Sequence, residues 1–459
     1  MRIFTAALAV LLMASGCGGS PDSATPTATA APTTTAPPTT TTAPTTTAPP
    51  TTTAAPPTTT AAPPTTTAAP PTTTAAPTTT DLFERFNVAR ASHSLYGDLT
   101  FPTCTIGVVG AARTLSFINE DPDAEELLLL ENCIIAYEEK AAADPWGKQI
   151  EQPPQLFYAS DVAPQTKELI EEALFAATEE WGNYGPLEYW VAGIDVDAAT
   201  ELADQFCTRW LDRFGDKQDC LENEHVAKFL PEQAAAVSKA VLELKCTGNA
   251  GRNGMRAWNI HLFSSSYPMG FAEICDGGSY ASDQTTVFHE YFHAVQHAFI
   301  YTFDRDKRWN EFGVQNTANW FGEGGAEWMA QTAVQRLREA GELTASDWNS
   351  FPDRMTDKMT FLRDWQKNNP EKRANEIPPH GMNNVGYDYG TWAHAYLSNL
   401  VGPDALLEVF YPNLNELGHE GAFLKTYGMT MSDFIVEFDK FVLLPIEEQL
   451  RILPKFAEN

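Results

Sequence analysis

Apolar positions along the chain fall into three regimes. An apolar run, with Thr5 as its one polar residue, covers 3–13, directly after Arg2. From 18 to 80 there is no periodic pattern: Thr, Pro, Ala, Ser and Gly fill the segment almost entirely, and the unit Pro-Pro-Thr-Thr-Thr-Ala-Ala begins at Pro49, Pro56, Pro63 and Pro70. Only after residue 81 do the periods of regular structure appear. Strand-like runs at 155–159, 187–192 and 257–263 alternate with helical spacing at 124–140, 166–181, 197–214 and 232–245. Another helical stripe, Ala294, Val295, Ala298 and Phe299, falls within 282–299, with Ser282 and Asp283 as N-cap candidates. Beyond 300 the pattern reads as helix nearly throughout, at 316–337, 347–367, 389–400, 405–411 and 431–443, interrupted by a Pro-, Asn- and Gly-rich loop at 368–384. The expected fold class is α+β: a small mixed sheet packed by helices, followed by a mostly helical C-terminal lobe.

The first two regimes bear on location. A short apolar run behind one basic residue reads as a secretory signal; it is too short to span a bilayer. It ends Ala14-Ser15-Gly16-Cys17, small residues before a cysteine, as in a bacterial lipobox. Cleavage there would leave Cys17 lipidated and the protein tethered to the membrane on its extracytoplasmic side; an ordinary signal cut nearby would leave it secreted. The Thr/Pro/Ala segment cannot bury a core, and its prolines favour extended geometry, so it reads as a disordered stalk reaching on the order of 200 Å. The domain plan is therefore 1–17 signal, 18–80 stalk, 81–154 N-terminal extension, 155–300 first lobe and 301–459 helical second lobe.

Charge narrows the partners. Arg2 and Asp22 are the only charges before residue 81, so the folded part carries the whole net charge of −30. That argues against nucleic acid and anionic lipid surfaces as partners. With Cys17 set aside, six cysteines remain, an even number in an exported chain, and sequence neighbours pair most economically: Cys104–Cys133, Cys207–Cys220 and Cys246–Cys275. There is no C-x-x-C pair to suggest a cysteine zinc site.

The chemistry concentrates in His289-Glu290-Tyr291-Phe292-His293. On a helix, residues four apart lie about 40° from each other around the axis, so both imidazoles can reach one metal ion. Glu290 can accept a proton from water at that ion. The longer pattern H-E-x-x-H-x-x-G-x-x-H fails, because Gln296 and Phe299 stand where its glycine and third histidine belong. Downstream, Trp320-Phe321-Gly322-Glu323-Gly324-Gly325-Ala326-Glu327-Trp328 offers Glu323 as third ligand, and Glu327, one turn on, as a partner for a ligand histidine's free N–H. His297 and His394 are more simply structural, and Trp392, Tyr396 and Leu400 read as core packing.

Together with Tyr387-Asp388-Tyr389-Gly390, a Y-x-x-G segment, these motifs over 280–400 resemble the gluzincin metallopeptidases, the group that includes thermolysin-like proteases and zinc aminopeptidases. The resemblance implies a zincin-like fold and one zinc ion held by His289, His293 and Glu323. It also implies Glu290 as general base and Tyr387 (ahead of Tyr389, by the spacing to Gly390) as donor to the tetrahedral oxyanion. A peptide or protein substrate would lie extended along a sheet edge beside the active helix, with 257–263 as the candidate strand. Two other readings stay open from the residues: a non-catalytic surface-binding lipoprotein with a structural metal site, and a hydrolase acting on a non-peptide amide or ester.

Overall fold

The computed structural model describes residues 16–18, 79–96, 100–117, 120–143, 149–245, 249–255, 258–267, 281–299, 319–344, 350–376 and 385–456. The apolar run 3–13, the repeats of the stalk and the Cys246–Cys275 pair lie outside them.

Four helices come first: α1 (Thr79–Tyr96), α2 (Thr100–Val109), α3 (Ala111–Ser116) and α4 (Ala124–Ala143). They bury a core of their own, in which Phe86 meets Phe101 and Phe117 edge-on at centroid distances of 5.6 and 5.3 Å. The expected Cys104–Cys133 disulfide staples α2 to α4, with Cα atoms 5.5 Å apart.

The sheet runs in the order β1-β4-β5-β3-β2. Its main strands are β2 (Gln155–Tyr158), β3 (Leu187–Ala192), β4 (Asn249–Met255) and β5 (Trp258–Ser265), and a three-residue strand, β1 (Gly16–Gly18), pairs antiparallel with β4. β2, β3 and β5 are mutually parallel, while β4 pairs antiparallel with β5. Parallel pairing requires crossovers, and helices supply them. α5 (Pro164–Trp181) joins β2 to β3; α6 (Val196–Arg209), α7 (Leu211–Phe214), α8 (Lys217–Asn223) and α9 (His225–Leu242) lie between β3 and β5. All six residues of β3 are buried, as expected of a central parallel strand. The architecture is α+β with a small mixed sheet.

Several local expectations change. The helix read over 197–214 breaks at Trp210, and the expected Cys207–Cys220 disulfide, Cα–Cα 5.8 Å, ties α6 to α8. The helix read from 232 starts at His225 and contains Pro231, because burial of Val226, Ala227, Phe229 and Leu230 outweighs the hydrogen bond that the proline removes. The strand read over 257–263 is β5, but it is interior. β4 occupies one side and β3 the other, so its backbone groups are already paired and it cannot take up an extended peptide.

The helical lobe contains α10 (Ala281–Ala298), α11 (Asn319–Glu339), α12 (Phe351–Asn368), α13 (Val385–Val401), a π-helical turn (Leu406–Phe410), α14 (Tyr411–Tyr427), α15 (Met431–Val442) and the short α16 (Ile446–Gln449). α10 begins at Ala281, so Ser282 and Asp283 fall within its first turn. It is buried nearly all round: Val287, Phe288, Tyr291, Phe292, Ala294, Val295 and Ala298 form an apolar face, and the polar residues His289, Glu290, His293 and Gln296 beside it are buried too, as befits a helix enclosed by its neighbours. Trp181 packs against Phe288 and Phe292. The Tyr291 hydroxyl donates to the Gly182 carbonyl and accepts the Tyr184 N–H at 2.9 Å, which pins α10 to the end of α5. Trp392 is fully buried, whereas Leu400, read as core, is 43% exposed at the end of α13.

α11 and α13 cross at glycine. A Cβ on Gly390 would fall 2.1 Å from the Trp320 carbonyl oxygen and 2.6 Å from the Gly324 Cα; one on Gly324 would fall 2.2 Å from the Gly390 Cα. The glycines of the E-G-x-A-E and Y-x-x-G motifs are thus two halves of one helix contact.

Two histidines of this lobe are buried and neutral. His394 donates from Nε2 to the Phe321 carbonyl at 2.8 Å. Burial lowers His394 and His419 to about 4, from an ordinary value of 6.5. Between those values the unfolded chain binds protons that the folded chain does not, so stability present above pH 6.5 is lost as pH falls toward 4, on the order of 3 kcal/mol for each histidine. His419→Phe is expected to move the acid-unfolding midpoint to lower pH, followed by circular dichroism; an unchanged midpoint would exclude His419 as a source of the acid sensitivity.

Candidate metal centre

α10 and α11 bring His289, His293 and Glu323 together. His289 and His293 are one turn apart on α10, with ring centroids 4.8 Å from each other. Their Nε2 atoms are separated by 3.1 Å. The Glu323 Oε2 lies 3.1 Å from the His293 Nε2 and 3.4 Å from the His289 Nε2. All three residues are buried, at 4, 6 and 3% exposure. Ligand bonds of 2.0–2.2 Å at tetrahedral angles place neighbouring ligand atoms about 3.3 Å or slightly more from each other, so the triangle has the size a small divalent ion needs. The three residues form a group that can hold a metal ion, and among the described residues no fourth His, Cys, Asp or Glu joins it.

The surrounding hydrogen bonds decide which ring nitrogens carry hydrogen. The His289 Nδ1 faces the Glu327 Oε2 at 3.2 Å. A carboxylate oxygen accepts, so the hydrogen is on Nδ1. The His293 Nδ1 faces the Gln296 Oε1 at 2.7 Å, and the amide orientation follows from its other end, where Nε2 donates to the Gly322 carbonyl at 2.8 Å. With both Nδ1 atoms protonated, two Nε2 lone pairs and a carboxylate oxygen converge on one point. Lone pairs at that spacing repel, so a positive charge belongs between them: a metal ion, or protons on the rings. Burial alone would push the Glu323 carboxyl up, but the two histidines outweigh it and hold the group well below the usual carboxylate range, ionised as a ligand must be.

Glu290 follows His289 on α10 and is fully buried. Tyr387 and Tyr389 part ways. The Tyr387 ring lies 6.0 Å from the His289 ring and is half-buried. Tyr389 is fully buried in the core against Trp320 and Phe438, with centroids at 5.4 and 5.0 Å. His297 is half-buried one turn past His293 and is not part of the ligand group.

Three residues around the centre carry no motif. Gln296 stands where the longer H-E-x-x-H-x-x-G-x-x-H pattern has glycine, and its i+3 spacing from His293 puts it on the same helix face. Lys358 on α12 reaches the Glu327 Oε1 at 2.9 Å and the Asp388 Oδ1 at 3.1 Å. The Gln331 Nε2 also donates to the Glu327 Oε1, at 3.0 Å. Burial pushes Glu327 up, yet Lys358 and His289 hold it well below its ordinary value. The Asp388 carboxyl is instead raised to about 6 by burial, which Lys358 only partly offsets. No family model, no curated protein and no solved structure matches the chain.

Proposed function

We propose that the protein is a zinc-dependent hydrolase of peptide bonds, exported and tethered to the bacterial membrane through Cys17. The observation that carries this reading is the convergence of two Nε2 atoms and one carboxylate oxygen on a point, with no fourth His, Cys, Asp or Glu joining them among the described residues. Structural zinc sites are closed by four protein ligands, usually rich in cysteine; catalytic sites keep three and leave one position open. The His/His/Glu donor set suits zinc, and the resemblance of the motifs to gluzincins points the same way.

When bound, zinc supplies Lewis acidity, which makes water a nucleophile near neutral pH. The residues do the rest. His289 and His293 present Nε2 because Glu327 and Gln296 hold their Nδ1 hydrogens. Glu290 takes the proton of the attacking water and returns it to the departing amine. Tyr387, beside His289, donates its hydroxyl where negative charge develops on the scissile carbonyl. Burial of His289, Glu290, His293 and Glu323 keeps bulk water from weakening these interactions.

The test combines metal analysis with cleavage of unstructured polypeptide. One zinc per chain is expected, with cleavage that a chelator abolishes and added zinc restores. A chain with bound zinc and no metal-dependent cleavage would instead be a binding protein with a structural site; cleavage of small esters or amides alone would move the substrate class away from peptides.

A further inference from the structure

We propose that Lys358 is a positioning residue of the metal centre, which holds Glu327 against His289 while Asp388 anchors it from the helix that carries Tyr387. The inference rests on the metal-binding reading above and names a residue that no motif marks.

Lys358 sits mid-helix in α12, with Met355, Met359 and Leu362 of the same helix buried. Its side chain is only 19% exposed. An ammonium group is strongly hydrated, and withdrawing it from water is costly unless fixed partners replace that hydration. The partners here come from two further helices: the Glu327 Oε1 on α11 at 2.9 Å and the Asp388 Oδ1 on α13 at 3.1 Å. Three helices therefore meet through one cation. Asp388 is 5% exposed and adjoins Tyr387 in sequence, so the same contact fixes the first turn of α13.

The direction of the effect follows from the two oxygens of Glu327. Lys358 and Gln331 engage Oε1, which leaves Oε2 turned toward the His289 Nδ1. Without the ammonium, the Gln331 amide is what Oε1 keeps among the described residues. The carboxylate is then free to turn away from His289, and the imidazole loses the contact that aims its Nε2 at the metal. Partners of ligand histidines typically account for 10- to 100-fold in metal affinity. The chain Asp388–Lys358–Glu327–His289 extends that dependence by one residue.

The experiment measures zinc affinity of the full chain by competition with a chromophoric chelator, with thermal melts of the metal-free forms as a check on folding. Lys358→Met is expected to lose about 10- to 100-fold in affinity, Glu327→Gln a comparable factor, and Lys358→Arg to recover most of the loss. Because Lys358 acts through Glu327, adding Lys358→Met to Glu327→Gln should cost less than about threefold more. That double variant removes the Lys358–Glu327 ion pair and leaves Asp388 as the one buried carboxyl of the three, and its comparison with Glu327→Gln keeps the proposal testable if Lys358→Met alone does not fold. Wild-type affinity in Lys358→Met, or losses that multiply in the double variant, would overturn the proposal. Wild-type protein that binds no zinc at all would overturn the metal reading itself, and this proposal with it.

Discussion

Glu290→Gln is expected to keep its zinc and to lose peptide cleavage by about 10²- to 10⁴-fold, the range that general acid–base groups supply. The two properties separate because the three converging ligand atoms belong to His289, His293 and Glu323, and Glu290 is not among them. The amide is nearly isosteric with the carboxylate, so α10 keeps its packing, but it has no lone pair basic enough to take the proton of water. The loss should appear in kcat with little change in KM, since Glu290 is assigned to the reaction and not to binding. Zinc content by metal analysis and steady-state kinetics on a peptide substrate give both readings from one preparation. Cleavage within a fewfold of wild type would remove Glu290 from its assigned role and leave the identity of the base open.

Gly390→Ala is expected to destabilise the fold by about 3 kcal/mol or more, while Gly322→Ala, in the neighbouring motif, should stabilise it by up to about 1 kcal/mol. Both substitutions replace glycine in a helix interior, and propensity alone favours alanine in both. Surroundings separate them. Around a Gly322 Cβ there is open space within 4 Å, whereas a Gly390 Cβ meets the Trp320 carbonyl at 2.1 Å and the Gly324 Cα at 2.6 Å. Those atoms are backbone and cannot rotate aside; α11 and α13 would have to separate. Separation would also move Glu323, which adjoins Gly324, and Tyr387, one turn before Gly390. Urea denaturation reports the stability difference, and zinc affinity reports the displacement. Equal stabilities for the two variants would mean that the crossing is looser than described.

What could be read from the residues alone depended on how local each determinant is. His289, Glu290 and His293 share one turn of helix, so their spacing is enough to bring them together. β3 was legible because its run, apolar apart from the buried Glu188, is short and bounded. β4 was not: Asn249-Ala-Gly-Arg-Asn-Gly-Met255 has no β-branched residue and two glycines, and it becomes a strand by pairing with β5. α14 was hidden for a similar reason. Pro412, Gly418 and Gly421 interrupt its pattern, and Gly418 is kinked at φ 65°, yet Tyr411, Leu414, Phe423 and Tyr427 bury themselves in the lobe. Choosing Tyr387 over Tyr389 rested on spacing, and the geometry supplies a separate distinction: one ring lies beside His289 and the other within the core. Lys358 left no trace in the sequence, because its partners lie 31 and 30 positions away and only tertiary packing unites them.

The glycine crossing carries one more implication. Backbones that touch without intervening side chains cannot slide or pivot independently, so α11 and α13 behave as a single slab. Glu323 of the candidate ligand group and Tyr387 ride on that slab, while the histidine pair rides on α10. An ion gripped from both sides would act as a rivet across the seam, and breathing of the lobe in the metal-free protein should begin along that line, with slower amide exchange on both flanks once zinc is added.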